Sequence, residues 1–166
     1  MNNFVTYSDF TGDRNIPNLD KDLESFNTFI TRWQKDILIK LLGYDLYLAF
    51  ETGLEEETPD AKWTNLRDGS NYQVDSVNKQ NPGIKDIVAY YVYCKWVQVN
   101  FNQVTGIGVI NATSDNAVKV DPEFKIMDAW NNMLNYYYMV YLFISENETD
   151  YPNWEFTELQ LMTYGF

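Results

Sequence analysis

The sequence predicts a mainly α-helical fold, a bundle of three long helices plus short helices, with a short β or loop crossover and extended termini. Three observations carry this. Apolar residues recur at steps of three and four along three separate stretches. Each stretch is bounded by residues that start or stop helices. The main non-helical feature is one run of glycines and β-branched residues, Thr105-Gly106-Ile107-Gly108-Val109-Ile110-Asn111.

Residues 1–18 contain Gly12, Pro17 and Asn18 among scattered apolar residues, which predicts an extended arm with turns. Phe4, Val5, Tyr7 and Phe10 need cover there, from the chain's own core or from a neighbouring subunit. A helix near 19–42 follows, capped by Asn18 or Asp20, with Leu23, Phe26, Ile30, Trp33, Ile37 and Leu41 on one face and Gly43 as a left-handed end. Asp45 can cap a shorter helix through Phe50 that stops near Gly53. The acidic turn Glu55-Glu56-Glu57-Thr58-Pro59-Asp60 then leads into a helical piece with Trp63 and Leu66, closed by Asp68-Gly69. Tyr72 and Val74 alternate with polar residues up to a turn, with a hairpin as an option, at Asn81-Pro82-Gly83.

The next long helix spans about 84–102, with Ile84, Ile87, Val88, Tyr91, Cys94, Val97 and Phe101 on one side. Residues 105–111 cross over the bundle as a short strand or loop. The last long helix, near 122–147, has the clearest start in the chain. Asp121 accepts from free N–H groups, Pro122 suits the first helical position, and Glu123 suits the positive end of the dipole. Phe124, Met127, Leu134, Tyr138, Tyr141 and Phe143 form its stripe, widened by Trp130, Tyr137 and Val140, so one face meets the core and something else covers part of another. The expected core includes Leu23, Ile30, Trp33, Ile87, Tyr91, Met127 and Leu134.

With 166 residues, 45% of them hydrophobic, one domain spanning 1–166 is expected. The net charge of −12, with no histidine, argues against binding nucleic acid or anionic membrane. No basic residue follows Lys125, so the C-terminal region is acidic. The single cysteine rules out an internal disulfide, and Met1-Asn2-Asn3-Phe4 lacks a secretory pattern, so a reducing compartment is expected and the N-x-T triplets at Asn111 and Asn147 are read as chance. No apolar run is long enough to span a bilayer, which predicts a soluble protein.

Without histidine, Ser-His-Asp and Cys-His catalysis and His/Cys zinc sites are excluded. Glu55, Glu56 and Glu57 read as solvated surface rather than as a glycosidase pair. Asp13, Asn15 and Glu24 match positions one, three and twelve of a calcium loop, but Pro17 stands at position five, where a ligand belongs, and Asn18 at position six, where the glycine belongs. Gly106-x-Gly108 lacks the third glycine of a dinucleotide site, and Cys94 reads as an inert core thiol. No catalysis, cofactor or metal is therefore expected. Thirteen tyrosines at helical spacing point to core and interface before a ligand platform.

Several landmarks occur in a fixed order: Trp63-x-x-Leu66, Gly69-x-x-Tyr72, Pro82-Gly83-Ile84-Lys85 opening an aromatic helix, Thr105-x-x-Gly108-Val109, then Asn116-Ala117, Lys125 and Ala129-Trp130-Asn131. This succession, over about residues 30–145, resembles small head–tail connector (adaptor, head-completion or neck) proteins of tailed phages and prophages of Bacteroidetes, crAss-like phages included. The resemblance implies a structural virion protein, made in the host cytoplasm and located in the neck. Its partners would be itself in a homo-oligomeric ring, with twelve-fold symmetry one option, the portal protein, and tail or further neck proteins. It transfers no catalytic residue. Phe4, Tyr7, Phe10, Trp154, Phe156, Leu161 and Phe166, too apolar for free ends, are the expected interface, and deleting both ends is expected to leave a folded body that no longer assembles. The alternative reading is a non-enzymatic small-molecule or glycan-binding helical module, and an acidic-site hydrolase ranks third.

Overall fold

A computed structural model describes residues 3–16, 23–105, 108–111 and 122–162. Within them the protein is mainly helical, with five α-helices and two short antiparallel strand pairs. The helices are α1 (Leu23–Leu42), α2 (Tyr44–Glu55), α3 (Ala61–Asp68), α4 (Ile84–Phe101) and α5 (Pro122–Glu146). Strands β1 (Ser70–Val74) and β2 (Val77–Asn81) precede α4, and β3 (Asn102–Thr105) and β4 (Gly108–Asn111) follow it.

Helix α4 is the axis of the fold. Every residue from Ile87 to Cys94 is buried, so this helix is enclosed on all sides rather than along the one face its spacing predicts. It packs against α1 on one side and α5 on another. Phe26 and Phe29 of α1 meet Trp96 edge-on at 4.8 and 5.1 Å, and the Cys94 thiol reaches the Ile126 carbonyl of α5 at 3.7 Å.

On α1, Phe26, Ile30, Ile37 and Leu41 are buried as their spacing predicts. Leu23 is not: it is 43% exposed, because it lies a turn before the first contact with Trp96. Trp33 is half-buried, with its ring against Tyr91 at 6.1 Å. The expected caps Asn18 and Asp20 lie outside the described residues. Gly43 has positive φ but an extended ψ (72°, 165°), so it is not a left-handed helix end. Its N–H closes α1 on the Ile39 carbonyl at 2.9 Å while its own carbonyl accepts from Tyr47, so one residue joins α1 to α2. Asp45 is therefore in the first turn of α2 rather than capping it.

Gly53 does not stop α2, which continues to Glu55. A Cβ at Gly53 would lie 2.0 Å from Trp63 Nε1; the glycine lets α3 pack closely. Helix α3 starts as expected, with Asp60 Oδ1 accepting from the Lys62 N–H at 2.9 Å, and ends at Gly69.

The first hairpin turns earlier than its sequence suggests. Asp75 and Ser76 both have positive φ (49° and 66°), the two-residue loop that matches strand twist, and Ser70 to Val74 pairs with Asn81 to Val77. Strand β2, Val-Asn-Lys-Gln-Asn, has one apolar residue and shows no alternation to read. Asn81-Pro82-Gly83 instead joins β2 to α4: buried Asn81 donates to the Asn65 carbonyl at 2.8 Å and accepts from the Gly83 N–H at 3.0 Å.

The expected crossover at 105–111 is a second ribbon, with Asn102–Thr105 paired to Gly108–Asn111. Gly106, Ile107 and the stretch with Asn116, Ala117 and Asp121 lie outside the described residues, and the side chain of Phe101 likewise. Helix α5 begins at Pro122. Ala129, Met133, Leu134, Tyr137, Val140, Phe143 and Ile144 are its buried residues, and Met127 is half-buried. Phe124 and Tyr138, expected on the core stripe, are both more than half exposed. Phe124 lies in the first turn of α5, two residues before the Cys94 contact at Ile126, and Tyr138 follows Tyr137, which takes the inward position. Among the described residues, no helix is long and apolar enough to cross a membrane.

Candidate functional site

The residues expected at an interface divide into anchors and exposed groups. Residues 3–16 lie across α1 and α4 through two 3-10 turns, Tyr7–Asp9 and Gly12–Arg14. Phe10 is 3% exposed and meets Phe26 edge-on at 5.0 Å, and Phe4 meets Phe50 at 6.2 Å. Polar contacts fix the same arm: Lys85 to Asp9 at 2.9 Å, Arg14 to Asp86 at 2.7 Å, and the Tyr90 hydroxyl donating to Asp13 at 2.8 Å. Phe4 and Phe10 are thus committed to the subunit's own core. Tyr7 points outward.

The tail lies along α5 and against the end of α1, so the cover expected for the second face of α5 comes from the chain itself. Buried Tyr151 donates to the Lys62 carbonyl at 2.9 Å, and Trp154 Nε1 to the Leu41 carbonyl at 2.9 Å. The Tyr137 hydroxyl has two carbonyls in reach, Thr157 at 2.7 Å and Lys40 at 3.1 Å. Trp130 Nε1 donates to the Gln160 carbonyl at 2.8 Å, and the Asn131 amide brackets the backbone of Met162 at 3.2 and 3.3 Å. Trp154 is an anchor, then, whereas Phe156 is 39% and Leu161 65% exposed. Phe166 lies outside the described residues.

Two outward features remain. The first is an aromatic ridge: Tyr138, 59% exposed, stacks on Tyr141 at 5.8 Å, and Tyr141 meets Phe156 at 4.4 Å and Trp154 at 5.2 Å. Exposed Glu155 and Glu158 flank it in the sequence.

The second, which the sequence reading missed, is a cationic cluster where α1, α4 and α5 meet. Tyr91 has Trp33 and Trp130 at its ring, each at 6.1 Å, and its hydroxyl donates to Asp36 and accepts from Lys40 at 3.0 Å. Lys40 also pairs with Asp36 at 2.6 Å, an i,i+4 spacing visible in the sequence. Lys95 Nζ lies over Trp33 at 5.0 Å and over Tyr91 at 5.3 Å, and the Arg32 guanidinium over Trp33 at 5.0 Å. Among the described residues, Arg32 and Lys95 form no direct ion pair, but the Lys95 charge is near enough to the Asp36 carboxylate to favour its ionised form. Burial opposes the charge of Asp36, but hydrogen bonds from Lys40 and Tyr91 outweigh it and hold the carboxyl below its usual range.

Four tyrosines share one arrangement. Burial first, and then a neighbouring carboxylate, pushes Tyr47 (Glu51), Tyr72 (Glu146), Tyr90 (Asp13) and Tyr91 (Asp36) up to about 12 from an ordinary 10.0. The folded state therefore keeps protons that the unfolded state releases. Stability present below about pH 10 should fall as pH rises towards about 12. In an alkaline titration, phenolate absorbance from these residues should appear together with loss of helical circular dichroism. Full ionisation with helicity intact would show that the hydroxyls are not held as described.

The remaining candidates show no assembled chemistry. Cys94 is buried, and burial pushes its thiol up to about 12, far from a reactive thiolate. Glu55, Glu56 and Glu57 are exposed, and Asp13 receives Tyr90 while Glu24 lies on α1. Among the described residues, no three Asp, Glu or Cys side chains gather as metal ligands.

A family model described as "Family of unknown function (DUF6712)" matches residues 38–160, and the chain belongs to that family. The match starts within α1 and runs through the tail to Gln160, leaving out the N-terminal arm. No curated protein and no solved structure matches the chain.

Proposed function

We propose that this DUF6712 member is a structural subunit of a phage head–tail connector, a neck ring that joins the portal to the tail and surrounds or lines the DNA channel. The observation that carries this reading is the aromatic ridge in which exposed Tyr138 and Phe156 flank half-buried Tyr141, on a helix whose apolar side is already covered by α4 and the tail. Large rings held rigid at a surface suit a protein interface, because little entropy is lost when a neighbour covers them. The order of landmarks from Trp63 to Asn131 supports the same reading. The long helices α1, α4 and α5 are taken as the body of the bundle, repeated side by side around the ring. The protein acts in the virion without catalysis or cofactor, and its net charge of −12 would let DNA slide past a ring without sticking.

Electron microscopy of the full chain mixed with the portal protein of its own particle tests this. Closed rings of many copies seated on the portal are expected, and Tyr138→Ser combined with Phe156→Ser should abolish them while leaving the subunit folded. A chain that stays monomeric in the presence of the portal would overturn the reading. The stack of exposed Tyr138 on half-buried Tyr141 also favours a second reading, a glycan-binding module, which would remain monomeric and take up sugar.

A further inference from the structure

Resting on the connector reading, we infer that the ribbon of β3 and β4 is completed by the same ribbon of a second copy of this chain. Strand β4 of one subunit adds to β3 of the next, so that neighbours in the ring share one sheet. Among the described residues β3 and β4 pair only with each other, Asn102–Thr105 running antiparallel to Gly108–Asn111. Two residues separate Thr105 from Gly108, so these two form the hydrogen-bonded pair that closes the hairpin. Val104 and Val109, the next pair, then turn their N–H and C=O groups away from each other, towards the two edges. A two-stranded ribbon is marginal in water until further strands or a packed face support it.

The first ribbon has both support and protection. Strand β2 packs on α5, Tyr72 of β1 meets Phe143 at 5.0 Å, and Lys79 pairs with Glu146. A lysine is also one of the devices that keep an edge strand from pairing further. Strands β3 and β4 contain no charged residue and no proline, so neither edge carries such a guard.

The composition of the ribbon and its two edges select the occupant. Between Lys95 and Asp115 there is no charged residue, the longest such stretch in the chain. A net charge of −12 makes two copies repel, and this stretch adds nothing to that repulsion. Val104, Thr105, Val109 and Ile110 are β-branched and suit an extended sheet. A single foreign strand would fill one edge and leave the other open. Identical ribbons in series fill both edges of every copy, and such a heterologous contact closes when its rotation closes, as a ring requires.

Hydrogen exchange read by mass spectrometry on the full chain, free and assembled on its portal, tests this. Amides in peptides over residues 102–111 should exchange at least about tenfold more slowly in the ring. Val104→Pro removes the edge donor of β3 and Val109→Pro that of β4. Each variant alone should weaken self-association at least about tenfold in sedimentation velocity, because every contact needs one β3 edge and one β4 edge. An equal mixture should give pairs that grow no further, the open β4 of the first on the open β3 of the second. Circular dichroism verifies folding, and Val104→Lys and Val109→Lys repeat the test if proline disturbs the ribbon. If the wild-type chain forms rings in which 102–111 exchanges as fast as in the free chain, or if both variants form rings equally well, this inference falls and the connector stands. Slowed exchange on the portal with only one variant impaired gives the edge to a portal strand, and this also overturns it. If the wild-type chain does not assemble even on the portal, the connector reading itself falls, and this inference with it.

Discussion

Removing residues 1–16 together with 151–166 should unfold the protein. Val5, Phe10, Ile16 and Tyr151 are all at most 5% exposed, and all belong to the one continuous core. At roughly 1.5–3 kcal/mol for each fully buried large side chain, their loss costs about 6–12 kcal/mol. A whole domain has only about 5–15 kcal/mol to lose. The deletion also strips the hydrogen bonds that the tail supplies to Trp130, Asn131 and Tyr137, and uncovers Phe26 and Trp63. Circular dichroism of the doubly truncated chain should show little helix at room temperature, with each single truncation giving a lowered melting temperature. A truncated chain with full helicity and an unchanged melting temperature would mean that the ends are accessory, as their sequence alone suggested.

Replacing Tyr91 by alanine should destabilise the subunit by about 3–5 kcal/mol, the range for removing a large aromatic ring from a core. Tyr91 is 1% exposed at the meeting point of α1, α4 and α5, so the space it leaves opens between Trp33 and Trp130 and neither helix can close it alone. Tyr91→Phe keeps the ring and removes only the hydroxyl. The Asp36–Lys40 pair survives that change, so the cost should be that of the hydroxyl's hydrogen bonding to two charged groups, about 1.5–3 kcal/mol. Urea unfolding of both variants measures the difference. Equal losses would mean that the polar network, and not the packing of the ring, holds the seam.

The helices were legible in the chain wherever a local rule decides. Pro122 at a helix start, Asp60 as a cap, and the three- and four-residue steps of Phe26, Ile30, Ile37 and Leu41 each act within a turn or two of themselves. The lack of histidine, the single cysteine and the charge of −12 likewise follow from composition, and they bound the chemistry before any folding. What lay beyond reading were the features that depend on partners distant in the chain. Gly53 looks like a stop signal but is a clearance for Trp63, and Asn81 looks like a turn residue but is a buried link to Asn65. The same holds for the ends. Phe10 and Trp154 carry no local mark that separates an anchor from an interface residue; Phe26 in one case and the Leu41 carbonyl in the other decide it. Arg32 and Lys95 are ordinary surface cations in the sequence, and only the packing of α1 against α4 brings them over a single indole ring. Periodicity says which side of a helix is apolar, whereas which apolar groups remain outside depends on where the next element ends, and that is settled by the tertiary fold.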